Sequence, residues 1–412
     1  MLYYLLKYLM RLALPVYYRH IRLSGLENIP ASGPVILACN HPNSFLDAIV
    51  MGTYAPRPLH FLTRSDVFNT PLKRWILSKM NMVPIYRMRD GIENLEKNQE
   101  TFAKCREVLG NNGVILIFSE GICIQELKLR PLKKGTARIA LDYAEKGNDL
   151  WVVPVGLNYP HPMKVRKSVW VGIGQSFNAK NFAAEYRESP AKGILSFNKT
   201  LEAGLRQQVI HLDNSQHEPI LQQVYELTVP LHSTTLTQMI SAAERFQKLD
   251  VPAQLFLKEE INRYAGQLNR HHLYHEALSA RSNFLKASLS VLVWVPAAGL
   301  SLPSFMLVRR MTRKKVRLAE FKDSVTVAAG MVLSLLLVLV YVGIALAFSP
   351  YAAFVAAGVL LLLIVTGPPA WDVWTDYRCK QKLASLSTAE QENLTLQRQK
   401  VTDLVTANLL RD

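Results

Sequence analysis

The stretch Asn40-His41-Pro42-Asn43-Ser44-Phe45-Leu46-Asp47 carries the residues best suited to chemistry in this chain. An imidazole follows a short apolar run, Val35-Ile36-Leu37-Ala38-Cys39, and a carboxylate follows six residues later. A strand that ends at His41 and turns into a helix carrying Asp47 can bring the two side chains together. The carboxylate would then hold one imidazole tautomer and leave the other ring nitrogen free as a general base. A purely structural reading stays open at this point, because Asn43, Ser44 and Asp47 are also residues that cap a helix start.

Four other positions carry the same double reading. Pro84-Ile85-Tyr86-Arg87 places a guanidinium directly after a strand, suited to bidentate phosphate contact; otherwise Arg87 is a solvated loop arginine. Phe118-Ser119-Glu120-Gly121 ends an apolar strand in a carboxylate and a flexible residue. Glu120 could receive substrate hydroxyls or an arginine, or sit in a plain turn. Leu132-Lys133-Lys134-Gly135-Thr136 reads as a helix start with an anion site, Lys133 and Lys134 supplying the charge. Five basic residues between Lys128 and Arg138 fit a solvated face equally well. Val153-Pro154-Val155-Gly156 ends a further strand, where Pro154 could shape an apolar groove.

The elements that must position these residues alternate between short apolar strands and amphipathic helices from Ile21 to about Gln175. Strands are expected at Val35–Cys39, Leu59–Thr63, Met82–Ile85, Val114–Phe118, Trp151–Val155 and Ser168–Ile173. Helices are expected at Ser44–Gly52, Pro71–Met80, Ile92–Leu109 and Thr136–Glu145, and Gly110-Asn111-Asn112-Gly113 stops one of them. Such alternation predicts an α/β layer with a largely parallel sheet. Sites in such sheets gather at the carboxyl ends of strands. His41, Arg87, Glu120 and Gly156 all fall just past an expected strand.

Taken in order, these blocks resemble the glycerolipid acyltransferase family, which includes the lysophosphatidate and glycerol-3-phosphate acyltransferases. That family carries Asn-His followed by Asp, a block ending in Arg, Phe-Pro-Glu-Gly, and Val-Pro-Val/Ile. Here the blocks are Asn40-His41…Asp47, Pro84–Arg87, Phe118–Gly121 and Val153–Val155, within residues 22–175. Five residues separate His41 from Asp47 where four are usual, a spacing similar to a fungal-like branch of the glycerol-3-phosphate acyltransferases. Ser119 stands where proline is usual, and Ile122 and Cys123 replace a polar pair. The resemblance implies an acyltransferase with His41 and Asp47 as its catalytic residues. Arg87, Glu120, Gly121, Lys133, Lys134 and Pro154 are the implied substrate-binding residues. The implied donor is acyl-CoA or an acyl carrier protein, and the acceptor a glycerophosphate or lysophospholipid in phosphatidate synthesis, with no cofactor and no metal. Another lysolipid acceptor, or a catalytically inactive membrane scaffold, is the alternative.

Net charge is +16, so an anionic partner is expected. No nucleic-acid motif accompanies that charge; a membrane surface fits it well, and a phosphorylated substrate is the other anionic partner. The four cysteines, Cys39, Cys105, Cys123 and Cys379, lack metal or CxxC spacing. Residues 1–20 mix Tyr3, Tyr4, Tyr8, Tyr17 and Tyr18 with Lys7, Arg11 and Arg19, which predicts an interfacial helix. The acyltransferase domain is expected over 21–215 and a helical extension over 216–283. In that extension His271, His272 and His275 read as a solvated helix face rather than a metal site. Residues 284–322 are expected to form a re-entrant or shallow hairpin, because Pro296, Gly299 and Pro303 interrupt the apolar run and six basic residues follow. Residues 323–370 contain 24 uncharged residues from Val325 to Phe348, then Ser349-Pro350 and a second apolar run, and predict a transmembrane hairpin. Residues 371–412 would be a cytoplasmic helical tail. The expectation is a multi-pass membrane protein with its catalytic domain on the cytoplasmic face.

Overall fold

The computed structural model describes residues 1–86, 98–161, 166–232, 234–275, 283–316 and 318–410. Its chain divides into two compact units. The first comprises Met1–Leu12, Ile21–Tyr159 and Val169–Val209; the second comprises Ala13–His20, Pro160–Ser168 and Ile210–Asp412.

The first unit is built on a mixed, mostly parallel sheet. Strand β1 is Tyr18–Ser24, β2 Val35–Cys39, β3 Leu59–Arg64, β4 Met82–Ile85, β5 Val114–Phe118, β6 Trp151–Asn158, β7 Lys167–Ile173 and β8 Phe177–Asn178. Their spatial order is β1-β7-β6-β2-β5-β3-β4, with β8 paired to β6. The ladders β2/β5, β2/β6, β3/β4 and β3/β5 are parallel, whereas β6/β7 and β6/β8 are antiparallel. Strand β2 is central, and all five of its residues are buried. A strand covered on both faces needs a continuous apolar run, and Val35-Ile36-Leu37-Ala38-Cys39 supplies one.

Helix α1 is Leu2–Tyr17, α2 Ser44–Tyr54, α3 Pro71–Lys79, α4 Asn98–Gly110, α5 Lys134–Ala144, α6 Ala183–Glu188 and α7 Pro190–Arg206. Helices α5 and α7 close one face of the sheet through Ala137, Ala140, Leu141, Phe197, Leu201 and Leu205, each at most 1% exposed. Residues 1–12 of α1 dock on the first unit: Tyr3 donates to the Gly52 carbonyl at 3.5 Å and Lys7 to the Ala55 carbonyl at 2.7 Å. Tyr4, Leu5, Tyr8 and Leu12 stay exposed.

Strands β1, β6 and β8 differ from expectation, β8 being a two-residue strand that no apolar run marks. Strand β1 was not expected; its Tyr-Arg-His-Ile-Arg-Leu-Ser sequence is only partly buried, as suits an edge. Strand β6 continues three residues beyond Val155, so Gly156 lies inside it rather than after it.

In the second unit α8 is Glu218–His232, α9 Leu236–Lys248 and α10 Val251–Arg270. A capping box starts α9, with Thr235 and Gln238 reciprocally bonded, and Asp250 caps α10 through the Ala253 N–H. Then come α11, Phe284–Lys315, α12, Ala319–Leu346, and α13, Pro350–Ala384, followed by α14, Thr388–Val405. Helices α11, α12 and α13 are each long and apolar enough to cross a membrane by length and composition. Across 284–322 the backbone is helical on both sides of Pro296 and Pro303, the residues that predict a break. Between the prolines and just after them, Ser301 Oγ donates to the Ala297 carbonyl at 2.7 Å and Ser304 Oγ to the Ser301 carbonyl at 2.8 Å. Helix α14 packs on α10, with Lys400 Nζ 2.7 Å from Glu260 Oε2.

Candidate active site

Parallel pairing of β2 with both β5 and β6 brings the ends of three strands together, so the residues leaving them converge. His41 leaves β2, Glu120 leaves β5 and Tyr159 leaves β6.

His41 Nδ1 lies 2.9 Å from Asp47 Oδ2. The turn between them contains Ser44 with φ +50°, a left-handed conformation that costs about 1 kcal/mol in a non-glycine residue. Asp47 Oδ2 also accepts the Asn43 backbone N–H at 2.8 Å. One carboxylate oxygen thus contacts the imidazole and closes the start of α2. Asp47 is 0% exposed, and its other oxygen, Oδ1, accepts the Tyr159 hydroxyl at 2.7 Å. A buried carboxylate needs such donors, since burial without hydrogen bonds costs several kcal/mol.

His41 is held through both its ring and its backbone. Its ring stacks on Phe118 with centroids 3.8 Å apart and planes 10° from parallel. The His41 backbone N–H donates to Glu120 Oε2 at 3.0 Å, and its carbonyl accepts the Ile124 N–H at 3.3 Å. Asn40, just before, fastens β2 to β6: its amide donates to the Leu157 carbonyl at 3.0 Å and accepts the Leu157 N–H at 2.7 Å. The His41 side chain remains 18% exposed. With Nδ1 committed to Asp47, Nε2 is the nitrogen left for a substrate proton.

Glu120 is 4% exposed, and both its oxygens are taken by backbone donors, the second being the Arg130 N–H at 2.9 Å. Burial pushes its carboxyl above the usual range, and these two donors oppose that rise. In this structure Glu120 clasps the two flanking loops. Gly121 follows in the left-handed region at φ +69°, and Lys133 packs over it so closely that a Cβ there would meet Lys133 Cγ at 2.9 Å. The Lys133 N–H donates to the Ser119 carbonyl at 2.8 Å, and Thr136 Oγ1 to Ser119 Oγ at 3.0 Å. These bonds bring the start of α5, with exposed Lys133 and Lys134, up to the end of β5.

Cys123 Sγ accepts the Ser44 N–H at 2.9 Å, so the residue replacing a polar family position supports the start of α2. Pro154 is buried within β6, pairs with Ala38, and packs under Gly204 of α7. It is not brought beside His41, because its ring faces the helix layer. Arg87 lies outside the described residues. Tyr159 lies outside the motif blocks, while Asn40 and the Phe118 ring lie inside them without a role assigned from sequence. A longer β6 is the signal for Tyr159, since extending that strand carries the chain end level with His41. Among the described residues no group of three or more His, Cys, Asp or Glu side chains is placed to hold a metal ion.

Residues 20–158 match the Acyltransferase family model. Glycerol-3-phosphate O-acyltransferase 1 of Saccharomyces cerevisiae is 28% identical over 265 residues, 58% of this chain and 35% of the relative. The 1-acyl-sn-glycerol-3-phosphate acyltransferase LPAT1, chloroplastic, of Arabidopsis thaliana is 30% identical over 138 residues, 33% of this chain and 35% of the relative. The chain therefore spans about a third of the length of these curated relatives. Among solved structures, the 1-acyl-sn-glycerophosphate acyltransferase PlsC of Thermotoga maritima is 21% identical with a TM-score of 0.34, covering 48% of this chain and 79% of that one. Over residues 20–158 the chain is thus similar to an acyltransferase domain, and its relatives are glycerol-3-phosphate and 1-acyl-sn-glycerol-3-phosphate acyltransferases.

Proposed function

We propose that the protein is a membrane-bound O-acyltransferase that moves a fatty acyl group from a thioester, acyl-CoA or an acyl carrier protein, to glycerol-3-phosphate or 1-acylglycerol-3-phosphate. The observation that carries this reading is the 2.9 Å contact from His41 Nδ1 to a fully buried Asp47 at the carboxyl edge of a parallel sheet. The relatives' activities point to the same chemistry.

In this reading Nδ1–H donates to Asp47 and Nε2 takes the proton of the acceptor hydroxyl as its oxygen attacks the thioester carbonyl. The tetrahedral oxyanion collapses to the ester, and the leaving thiolate takes the proton back from the imidazolium. Atoms and charge balance without a covalent enzyme intermediate. The Asp47 carboxylate stabilises the imidazolium formed midway. Lys133 and Lys134 supply positive charge for the acceptor phosphate, Arg87 is the further candidate, and backbone amides near Gly121 are candidate oxyanion donors. An acceptor with a larger headgroup is the second reading, supported by exposed Phe45 and Ile122 beside the turn and loop that hold His41.

The test offers purified full-length protein labelled acyl-CoA with glycerol-3-phosphate, 1-acylglycerol-3-phosphate or a neutral lysolipid. Transfer to a phosphate acceptor, lost in His41→Ala with the melting temperature kept, is the expected result. More than a few per cent of activity remaining in that variant defeats the base assignment. Preference for the neutral lysolipid defeats the phosphate reading.

A further inference from the structure

Three apolar helices suggest three crossings, but three crossings would put α10 and α14 on opposite sides of a bilayer. The structure packs these two helices directly together, joined by Glu260 and Lys400 at 2.7 Å, with the Glu260 side chain 6% exposed. The number of crossings must therefore be even.

Polar contacts say which helix fails to cross. At the start of α12, Asp323 Oδ1 accepts the Tyr17 hydroxyl at 3.0 Å. Late in α13, Asp376 accepts Arg19 Nη2 at 2.8 Å and the Tyr274 hydroxyl at 3.1 Å. Asp372, one turn earlier, takes Arg166 through Nε at 3.0 Å and Nη2 at 2.7 Å. Ionised groups of this kind belong outside hydrocarbon. They place the beginning of α12 and the end of α13 at one water-facing level, which Tyr274, before α11, also shares. Helices α12 and α13 then go out and come back, and α11 begins and ends on the side where both are anchored.

The contacts along α11 require the same thing independently. Its first half runs antiparallel to late α13: Phe284 meets Tyr377 at 6.3 Å, Trp294 meets Trp371 at 4.7 Å, and Ala297 sits where Gly367 has no side chain. Its second half runs antiparallel to α12: the Tyr341 hydroxyl donates to the Leu300 carbonyl at 3.3 Å, and Thr312 meets Thr326 at 3.4 Å. Were α11 straight, a rise of ~1.5 Å per residue would put Leu346 and Pro350 about 28 Å apart. The four residue steps between them reach at most about 14 Å. Helix α11 must therefore fold back, and Pro296, Gly299 and Pro303 stand where it does.

We infer that α11 is a re-entrant element inserted into the bilayer from one face, and that the chain crosses the membrane twice, through α12 and α13 alone. Arms of about 20 Å and about 18 Å, on either side of the proline turn, reach past the middle of a ~30 Å hydrocarbon core. Their partner is lipid: Leu289, Leu292, Leu302, Phe305 and Met306 are exposed to acyl chains. The exposed Arg309, Arg310, Arg313 and Lys314 return to the starting face, where they meet anionic headgroups.

Single cysteines introduced into full-length Cys123→Ser protein test this with an impermeant maleimide on sealed vesicles. Leu255→Cys in α10, Lys314→Cys, Phe348→Cys at the α12–α13 turn and Leu396→Cys in α14 are all at exposed positions. Detergent-opened vesicles verify that each thiol reacts, with Arg310→Cys replacing Lys314→Cys if that one does not. The expected result is that positions 255, 314 and 396 share one accessibility and 348 has the opposite one. Pairing of 255 with 348 against 314 and 396 means three crossings and overturns the inference. Equal labelling of all four means no crossing and overturns it as well. Neither outcome bears on acyl transfer, which is assayed separately.

Discussion

The Tyr159 hydroxyl stands 2.7 Å from Asp47 Oδ1, across 112 residues of sequence, and completes the set of donors around a carboxylate with no exposed surface. His41 Nδ1 and the Asn43 N–H share the other oxygen. Tyr159 therefore decides which way the carboxylate plane faces and keeps Oδ2 aimed at the imidazole. Tyr159→Phe leaves a buried oxygen without its donor, a loss of roughly 1–3 kcal/mol in stability. We expect kcat to fall about tenfold with KM little changed, since the phenol acts through Asp47 rather than on substrate. Asp47→Asn is the harsher change, because an amide favours the wrong imidazole tautomer; in serine proteases the equivalent change costs about 10⁴ in kcat. Steady-state kinetics on the two variants test the order: a Tyr159→Phe enzyme as slow as Asp47→Asn would mean that Tyr159 touches the reaction directly.

Glu120 holds the backbone of His41 from the far side. Its two oxygens accept the N–H groups of His41 and Arg130, so Glu120→Ala leaves two buried donors unsatisfied. The cost is about 2–4 kcal/mol by the usual penalty for such groups. Glu120→Gln keeps one acceptor but turns an NH₂ toward a backbone N–H, and should recover only part of the loss. The comparison to make is melting temperature against kcat/KM in both variants. A Glu120→Gln protein with full stability and a selective rise in acceptor KM would show the carboxylate binding substrate instead.

How far these relationships are legible beforehand depends on their range in sequence. The ends of β2, β4 and β5 can be read directly, because each is a compact apolar run bounded by turn residues. The His41–Asp47 contact cannot be read from spacing alone: it needs the left-handed backbone at Ser44, and serine does not advertise that conformation. Tyr159 is hidden for a different reason. Gly156-Leu157-Asn158 looks like the exit from a strand, yet pairing with Trp170, Val171 and Gly172 of β7 holds it in the sheet. Strand β1 is missed because its basic, half-exposed sequence has no hydrophobic period, and sheet neighbours alone make it extended. In α11 the prolines mark a special place, and the backbone is helical on both sides of them.

His275 contributes to the pH dependence of the helical unit. Its Nδ1 lies 2.9 Å from the Tyr264 hydroxyl, and burial, reinforced by the Arg398 charge, lowers its pKa to about 4. Between pH 6.5 and 4 the unfolded chain binds a proton that the folded chain refuses. Stability is therefore complete above 6.5 and declines as pH falls through that window, by at most about 3 kcal/mol. His275→Asn keeps an acceptor for Tyr264 and removes the titration. Melting temperatures taken from pH 7.5 to 4.5 should fall less steeply in the variant than in the parent, and parallel curves would remove His275 from the account.

Gly156 and Gly266 separate two reasons for having no side chain. At Gly156 the Gln208 carbonyl comes so close that a Cβ would lie 2.0 Å from its oxygen. That carbonyl is also held by Asn158 Nδ2 at 2.9 Å, so the backbone after α7 is fastened against β6 and has little freedom to retreat. Gly156→Ala should destabilise by about 3 kcal/mol, at the upper end of ordinary overpacking, because the clash is with backbone. Strand β6 pairs with β2, which leads into His41, so activity should fall with the shift. Gly266 lies inside α10 with open space where a Cβ would go. There alanine is the better helix former by up to about 1 kcal/mol, and Gly266→Ala should raise the melting temperature without touching activity. Opposite signs in a paired thermal melt are the expected outcome. A Gly156→Ala protein as stable as its parent would mean that the segment at Gln208 can move away from the sheet.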